Sequence, residues 1–130
     1  MNLESPKVSV QKSAADTFAF LTDVKNFEKL MPANTAKFEI ISDDSFVFAL
    51  SGMPEIKLKL VEKTPNSKVV LNSPSEKLNF SLSAQIDEIG QNQSAVQLFF
   101  EGEFNPMIGM MIKSPISKFI ESLVTNLSNQ

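Results

Sequence analysis

The chain reads LNFSLSAQI from residue 78 to residue 86, an unbroken alternation of apolar and polar side chains. Successive side chains of a β-strand point to opposite faces, so this pattern predicts a strand with one apolar face and one wet face. After Gly90-Gln91-Asn92, every second residue from 96 to 100 is again apolar. The two runs predict a long hairpin, with strands over residues 77–89 and 94–104 joined by a glycine-containing turn.

The same period of two extends back towards the N-terminus and predicts further strands over residues 36–42, 45–51, 55–63 and 68–72. Strands with one buried and one solvated face are typical of an antiparallel sheet, and such a sheet needs a cover for its apolar face. The side chains assigned to that face are Phe46, Phe48, Leu50, Ile56, Leu58, Leu60, Leu78, Phe80, Leu82, Ala84, Ile86, Val96, Leu98, Phe100 and Phe104.

The C-terminal segment supplies this cover. Asn105-Pro106 predicts a helix start, and apolar residues recur at helical spacing from Ile108 to Leu127. Met110 and Met111 are expected on the side that faces the sheet. Because a proline inside a helix removes a hydrogen bond, Pro115 predicts a bend near residues 113–114, or a short helix leading into a longer one.

The N-terminal third completes the outline. A first strand is predicted over residues 5–12, followed by a short helix that Ser13 caps and that ends near Leu21. Asp23 predicts a second, shorter helix that stops at Pro32. The fold class is therefore α+β, a curved antiparallel sheet of about seven strands around a long C-terminal helix, with two short helices after strand 1. Residues 1–130 form a single domain.

Two stretches carry a resemblance to a known family. The first strand runs into AADTFAFL at residues 14–21, and FEKLMP follows at residues 27–32, where relatives often have a similar acidic-aromatic-proline pattern. With these segments and the order of elements, the chain resembles the START-like, or helix-grip (SRPBCC), superfamily over nearly its whole length. Small bacterial members similar to the accessory proteins of carbon monoxide dehydrogenase and to polyketide cyclases look closest. The resemblance implies a cavity between sheet and long helix that takes apolar ligands.

Composition excludes several classes of function. The formal net charge of −3, the pI near 4.9 and the lack of arginine argue against a nucleic-acid partner. There is no Cys or His, so we expect no metal site and no cofactor, and any catalysis falls to Asp, Glu, Lys, Ser or Thr. Residues 1–12 contain no apolar signal region and no segment is long enough to span a bilayer, which predicts a cytoplasmic protein without stable membrane insertion.

These observations favour a non-catalytic binding or carrier domain for a small apolar molecule, lipid-like or aromatic, held between the sheet and the C-terminal helix. The molecule is expected to enter near the short helices and the Gly52-Met53-Pro54 loop. Periodicity alone favours a filled core, and the resemblance brings a ligand pocket level with that interpretation. A cyclase or dehydratase-like enzyme and an accessory protein that acts through its surface remain alternatives. No catalytic residue is assigned. The predicted ligand-binding residues are Phe48, Leu58, Phe80, Leu82, Leu98, Phe100, Met111, Ile112 and Phe119.

The outer face of the sheet raises a separate hypothesis. Ile41, Val47, Ala49, Val61, Val70 and Phe99 are expected to point outward. If the isoleucine and valines of this set are neighbours, they form an exposed apolar patch, and such patches often mark interfaces. A homodimer through the outer sheet face is therefore a prediction.

Overall fold

The computed structural model describes residues 1–74 and 79–130. Within these residues the chain forms eight strands, two short α-helices and one long α-helix, and a single 3-10 turn at Val24–Asn26 joins the two short helices. In chain order the elements are β1 (Asn2–Glu4), β2 (Val8–Val10), α1 (Ala14–Thr22), α2 (Phe27–Leu30), β3 (Thr35–Ser42), β4 (Ser45–Leu50), β5 (Ile56–Thr64), β6 (Lys68–Pro74), β7 (Asn79–Gly90), β8 (Gln93–Gly102) and α3 (Pro106–Ser128).

The strands form one antiparallel sheet in the order β1-β8-β7-β6-β5-β4-β3, and β2 pairs with β8 beside β1. The predicted strand over residues 5–12 was wrong in extent, because the edge is two short strands separated at Ser5-Pro6. The buried Ser5 hydroxyl accepts the Leu98 backbone N–H at 2.9 Å, and the Ser5 N–H donates to the Leu98 carbonyl. Proline has no N–H, so the ladder cannot continue unbroken through residue 6.

The apolar rows of the sheet face inward, as predicted. Phe46 lies opposite Leu58, and across the next strands Leu71, Leu82 and Phe100 lie in one row. All five side chains are buried. Predictions for residues 77 and 78 fall outside the described residues. At the end of the hairpin, β8 stops at Gly102 rather than continuing to residue 104.

Helix α3 covers the inner face. Asn105 caps it by accepting the Ile108 backbone N–H at 2.9 Å, and Pro106 occupies the first turn, where no N–H is needed. The ring of Phe119 stacks on Phe48 of the sheet, with centroids 4.8 Å apart. The buried stripe of the helix consists of Ile112, Ile116, Phe119, Ile120, Leu123, Val124 and Leu127.

The helix runs through Pro115 without interruption, so the predicted division into two helices is not found. An interior proline costs about 3 kcal/mol because one hydrogen bond is lost and the ring crowds the preceding turn. The buried contacts of Ile112 and Ile116, on either side of the proline, hold both halves against the same core and offset this cost.

The two short helices close one end of the core. Ser13 caps α1 by accepting the Asp16 N–H at 3.1 Å, as predicted. The Asn126 amide of α3 donates to the Leu30 carbonyl at 2.9 Å and so ties the end of α2 to the long helix. None of the helices in residues 1–74 and 79–130 has the length and apolar composition needed to cross a bilayer.

Candidate functional site

A surface groove of about 590 Å³ lies between the β4–β5 loop and the first half of α3. Its walls are mainly apolar. The lining residues are Asn34, Leu50, Ser51, Gly52, Met53, Pro54, Glu55, Ile108, Met111, Ile112, Ser114, Pro115 and Lys118.

A tight turn shapes the loop wall. The Met53 N–H donates to the Leu50 carbonyl at 2.9 Å, and Gly52 between them has a φ of +80°. Such a turn requires a positive φ at its third position, which glycine adopts without strain. A Cβ at residue 52 would meet no atom within 4 Å, so conformation rather than space selects glycine here. The turn carries the Met53 side chain to the groove, and Pro54 leads into β5.

The helix wall is apolar and partly exposed. Ile112 is buried and forms the inner surface, whereas Met111 is 70% exposed at the opening. Methionine is unbranched and polarizable, so its side chain adapts to partners of different shape. Met107 and Met110, on the same turns of α3, are also largely exposed. This end of the helix therefore presents apolar surface to solvent beside the groove.

Met110 and Met111 were predicted to face the sheet, and that placement was wrong. The buried stripe of α3 begins at Ile112, and one position along a helix rotates a side chain by about 100°. Met111 and Met110 therefore both point away from the stripe, and they are 70% and 82% exposed. Apolar identity alone placed them inward, although the first turns of the helix are buried only in part.

Glu55 and Lys118 are the ionisable groups among the lining residues. The Glu55 carboxylate accepts a hydrogen bond from the Lys37 ammonium, which also lies 3.3 Å from Glu39. The hydrogen bond to Glu55, followed by the one to Glu39, raises the pKa of Lys37 above its ordinary value. Lys118 is exposed and makes no ion pair with a residue that the structure describes.

Of the nine predicted ligand-binding residues, seven lie together in a filled core rather than around a cavity. The space that remains beside Leu82 and Leu98 measures about 10 Å³, room for about one water at most. Phe80 and Phe100 pack with ring centroids 4.7 Å apart. These seven core residues are Phe48, Leu58, Phe80, Leu82, Leu98, Phe100 and Phe119. The other two, Met111 and Ile112, line the groove.

The remaining groove residues were not assigned from the sequence. Pro115 stood out as an irregularity in an apolar helix, and the Gly52-Met53-Pro54 loop was expected near the ligand entrance, but the sequence does not indicate that the two meet. No feature of the sequence singled out Lys118 or Ser51 as groove residues. Within the described part of the chain, no cluster of three or more acidic, His or Cys side chains could hold a metal ion.

The predicted outer-face patch is interrupted. Ala49 is buried, which corrects its predicted exposure, while Ile41 and Val61 are about half exposed. Val47 pairs with Lys57 on the next strand, and Val70 pairs with Glu62. Charged side chains therefore separate the apolar ones, and the homodimer stays a prediction.

Known proteins resemble this chain in structure rather than in sequence. No protein-family model matches the sequence, and no curated protein matches it. Solved structures do match. A START superfamily protein from Mycobacterium smegmatis is 14% identical with a TM-score of 0.76, covering 98% of this chain and 94% of the other.

Norcoclaurine synthase from Thalictrum flavum is also 14% identical with a TM-score of 0.76, and the match covers 99% of this chain and 84% of the synthase. A protein from Thermobifida fusca solved by NMR is 18% identical with a TM-score of 0.71, covering 98% and 90%. The chain has the START-like, helix-grip fold, and the predicted fold class is confirmed. This fold often binds small ligands, and norcoclaurine synthase shows that enzymes also use it.

Proposed function

We propose that this protein is a binding or carrier domain for a small apolar molecule, and that the molecule lies in the groove between the β4–β5 loop and α3. The observation that carries the proposal is a roomy apolar groove beside a core with almost no free volume. The proposed ligand position is thus still between sheet and helix, but it lies at the rim of the sheet and not in the predicted cavity at its centre.

The chemistry of the walls supports an apolar ligand. Met53 lines the groove from the loop, and Met111, Ile108 and Ile112 line it from the helix. Burying about 200 Å² of apolar ligand surface contributes about 5 kcal/mol at 25 cal/mol per Å². The cost of immobilising the ligand reduces this gain, so the dissociation constant for a ligand the size of an alkylbenzene is no lower than about 0.1 mM. A larger apolar ligand would bind more tightly.

Methyl NMR can test the location directly, because the six methionines report on different parts of the protein. Titration of ¹³C-methyl-labelled protein with 4-propylanisole, a neutral apolar probe, should shift the Met53 and Met111 signals. The Met31 signal should stay in place, since Met31 does not line the groove. Shifts confined to core leucine methyls such as Leu82 and Leu98 would place the ligand in the interior and contradict the groove.

A matched pair of variants gives a second test. Met111→Lys puts a charge on the groove wall and should weaken probe binding at least about tenfold, because the ammonium must be desolvated or the ligand displaced. Met110→Lys is the control, since Met110 is 82% exposed and does not line the groove. Equal affinities of the two variants would refute the proposed site. Native mass spectrometry of freshly purified protein would identify any ligand carried from the cell.

The enzymatic alternative remains a prediction. Norcoclaurine synthase has been solved in complex with dopamine and hydroxybenzaldehyde, and a comparable reaction here would need an acid or base that touches the ligand. Glu55 and Lys118 are the groove residues that could serve. Turnover of a bound carbonyl compound, abolished in Lys118→Gln or Glu55→Gln, would support an enzyme. Cell fractionation would check the predicted cytoplasmic location.

A further inference from the structure

Pro115 lies inside an unbroken helix at the place where that helix lines the groove. In a regular α-helix the N–H of residue 115 would donate to the carbonyl of Met111. Proline has no N–H, and its ring pushes against that carbonyl. The Met111 carbonyl oxygen therefore lacks its α-helical donor, while the helix continues normally on both sides.

Both partners of this missing bond belong to the groove. Met111 and Pro115 are four positions apart and thus lie above one another on the same face of α3, and both line the groove. Among the neighbouring wall residues, Ile108 and Ile112 have no side-chain hydrogen-bond donor. The Ser114 hydroxyl also lines this wall, and the structure shows no hydrogen bond from it to the Met111 carbonyl. A backbone carbonyl without a partner is costly away from water. A ligand that displaces water from this wall must either supply a donor or leave the carbonyl unsatisfied.

We infer that the groove selects an apolar molecule that carries a neutral hydroxyl or N–H group, and that this group donates a hydrogen bond to the Met111 carbonyl. Pro115 is then a specificity-determining residue, because it frees the acceptor. The inference rests on the proposed ligand-binding function and names the chemical class of its ligand. Lys118, three residues after Pro115 on α3, is a cation that competes with the Met111 carbonyl for the polar group of the ligand. It is exposed, and water screens its charge.

The test uses two probes that differ in one donor. 4-Propylphenol and 4-propylanisole have similar apolar surface, but only the phenol has an O–H to donate. One net hydrogen bond predicts that the wild-type protein binds the phenol about two- to tenfold more tightly. The Met111 carbonyl ¹³C signal should shift with the phenol and not with the anisole.

Pro115→Ala removes the preference without removing the groove. The alanine that replaces the proline has a backbone N–H, which donates to the Met111 carbonyl, so both probes should bind with the affinity of the anisole. The variant should also melt at a higher temperature, since the helix regains a bond and alanine is a better helix former. Pro106→Ala is the matched control, because Pro106 is at the first turn, where an N–H has no helical partner, and does not line the groove. It should keep the preference for the phenol.

Several outcomes would overturn the inference. Equal binding of phenol and anisole to the wild type would refute it while leaving an apolar groove intact. Full retention of the preference for the phenol by Pro115→Ala would likewise refute the inference and leave an apolar groove intact. If 4-propylbenzoate binds best, and Lys118→Gln abolishes that advantage, the polar contact is the ammonium and not the carbonyl. Binding of neither neutral probe would overturn both this inference and the proposed function.

Discussion

Replacing Phe119 by alanine tests whether the space between sheet and helix is filled. The Phe119 side chain is buried, with 3% exposure, and its ring stacks on Phe48 at 4.8 Å. Removing a buried phenylalanine ring costs about 3–5 kcal/mol, because apolar transfer energy is lost and a cavity remains. The stacked pair places this site in the middle of that range, so we expect Phe119→Ala to lower the free energy of unfolding by about 4 kcal/mol.

Urea denaturation followed by circular dichroism at 222 nm is suitable, since the chain has no tryptophan and α3 contributes 23 helical residues. Glu121→Ala, an exposed change on the same helix, is the control and should stay within about 0.5 kcal/mol of the wild type. If Phe119→Ala leaves too little folded protein, Phe119→Leu should still be measurable at about 1.5 kcal/mol. A loss below about 1 kcal/mol for Phe119→Ala would refute the packed core and restore an interior cavity. Groove binding of 4-propylanisole should persist in the leucine variant.

Two further changes probe the sheet and its charges. Gly102→Ala should cost about 1–3 kcal/mol in urea denaturation, because the new Cβ would lie 2.8 Å from the Phe104 ring and 2.9 Å from the Phe80 Cβ; an unchanged midpoint would contradict this packing. Lys37→Gln should lower stability at pH 8. The folded-state pKa of Lys37 is raised above 10.5 by Glu55 and Glu39, so the stabilisation is complete below pH 10.5 and disappears as the pH rises through the raised value. A difference from the wild type that persists after lysine deprotonation would show that the ion pairs are not its source.

Much of the fold could be predicted from local pattern. The hairpin of β7 and β8 was expected from alternation alone, and the caps at Ser13 and Asn105 were expected from residue type. These features depend on neighbours in the chain, and short-range hydrogen bonds decide them. The break at Ser5-Pro6 has a local cause in Pro6, which the alternation of Val8 and Val10 obscured, and a long-range one in the bond from Leu98, which is 93 positions away.

The site was harder to predict than the fold. Eight of the nine predicted wall residues were assigned to the buried face, with Met111 as the exception, but the periodic pattern does not report how closely helix and sheet approach each other. Met111 and Ile112 are neighbours in sequence, yet one is exposed at the groove and the other is buried beneath it. Their difference follows from the rotation of about 100° between successive helix positions, which turns Ile112 into the buried stripe and Met111 away from it.

By itself, the amino-acid sequence determined which face of the sheet is buried, where α1 and α3 begin, and that a long helix covers an antiparallel sheet, since periodicity and capping act over a few residues. Only the tertiary structure decided that the aromatic rings fill the interior and that the open space lies at the β4–β5 loop. Free volume depends on the distance between two packed surfaces, and that distance is set by all their side chains together.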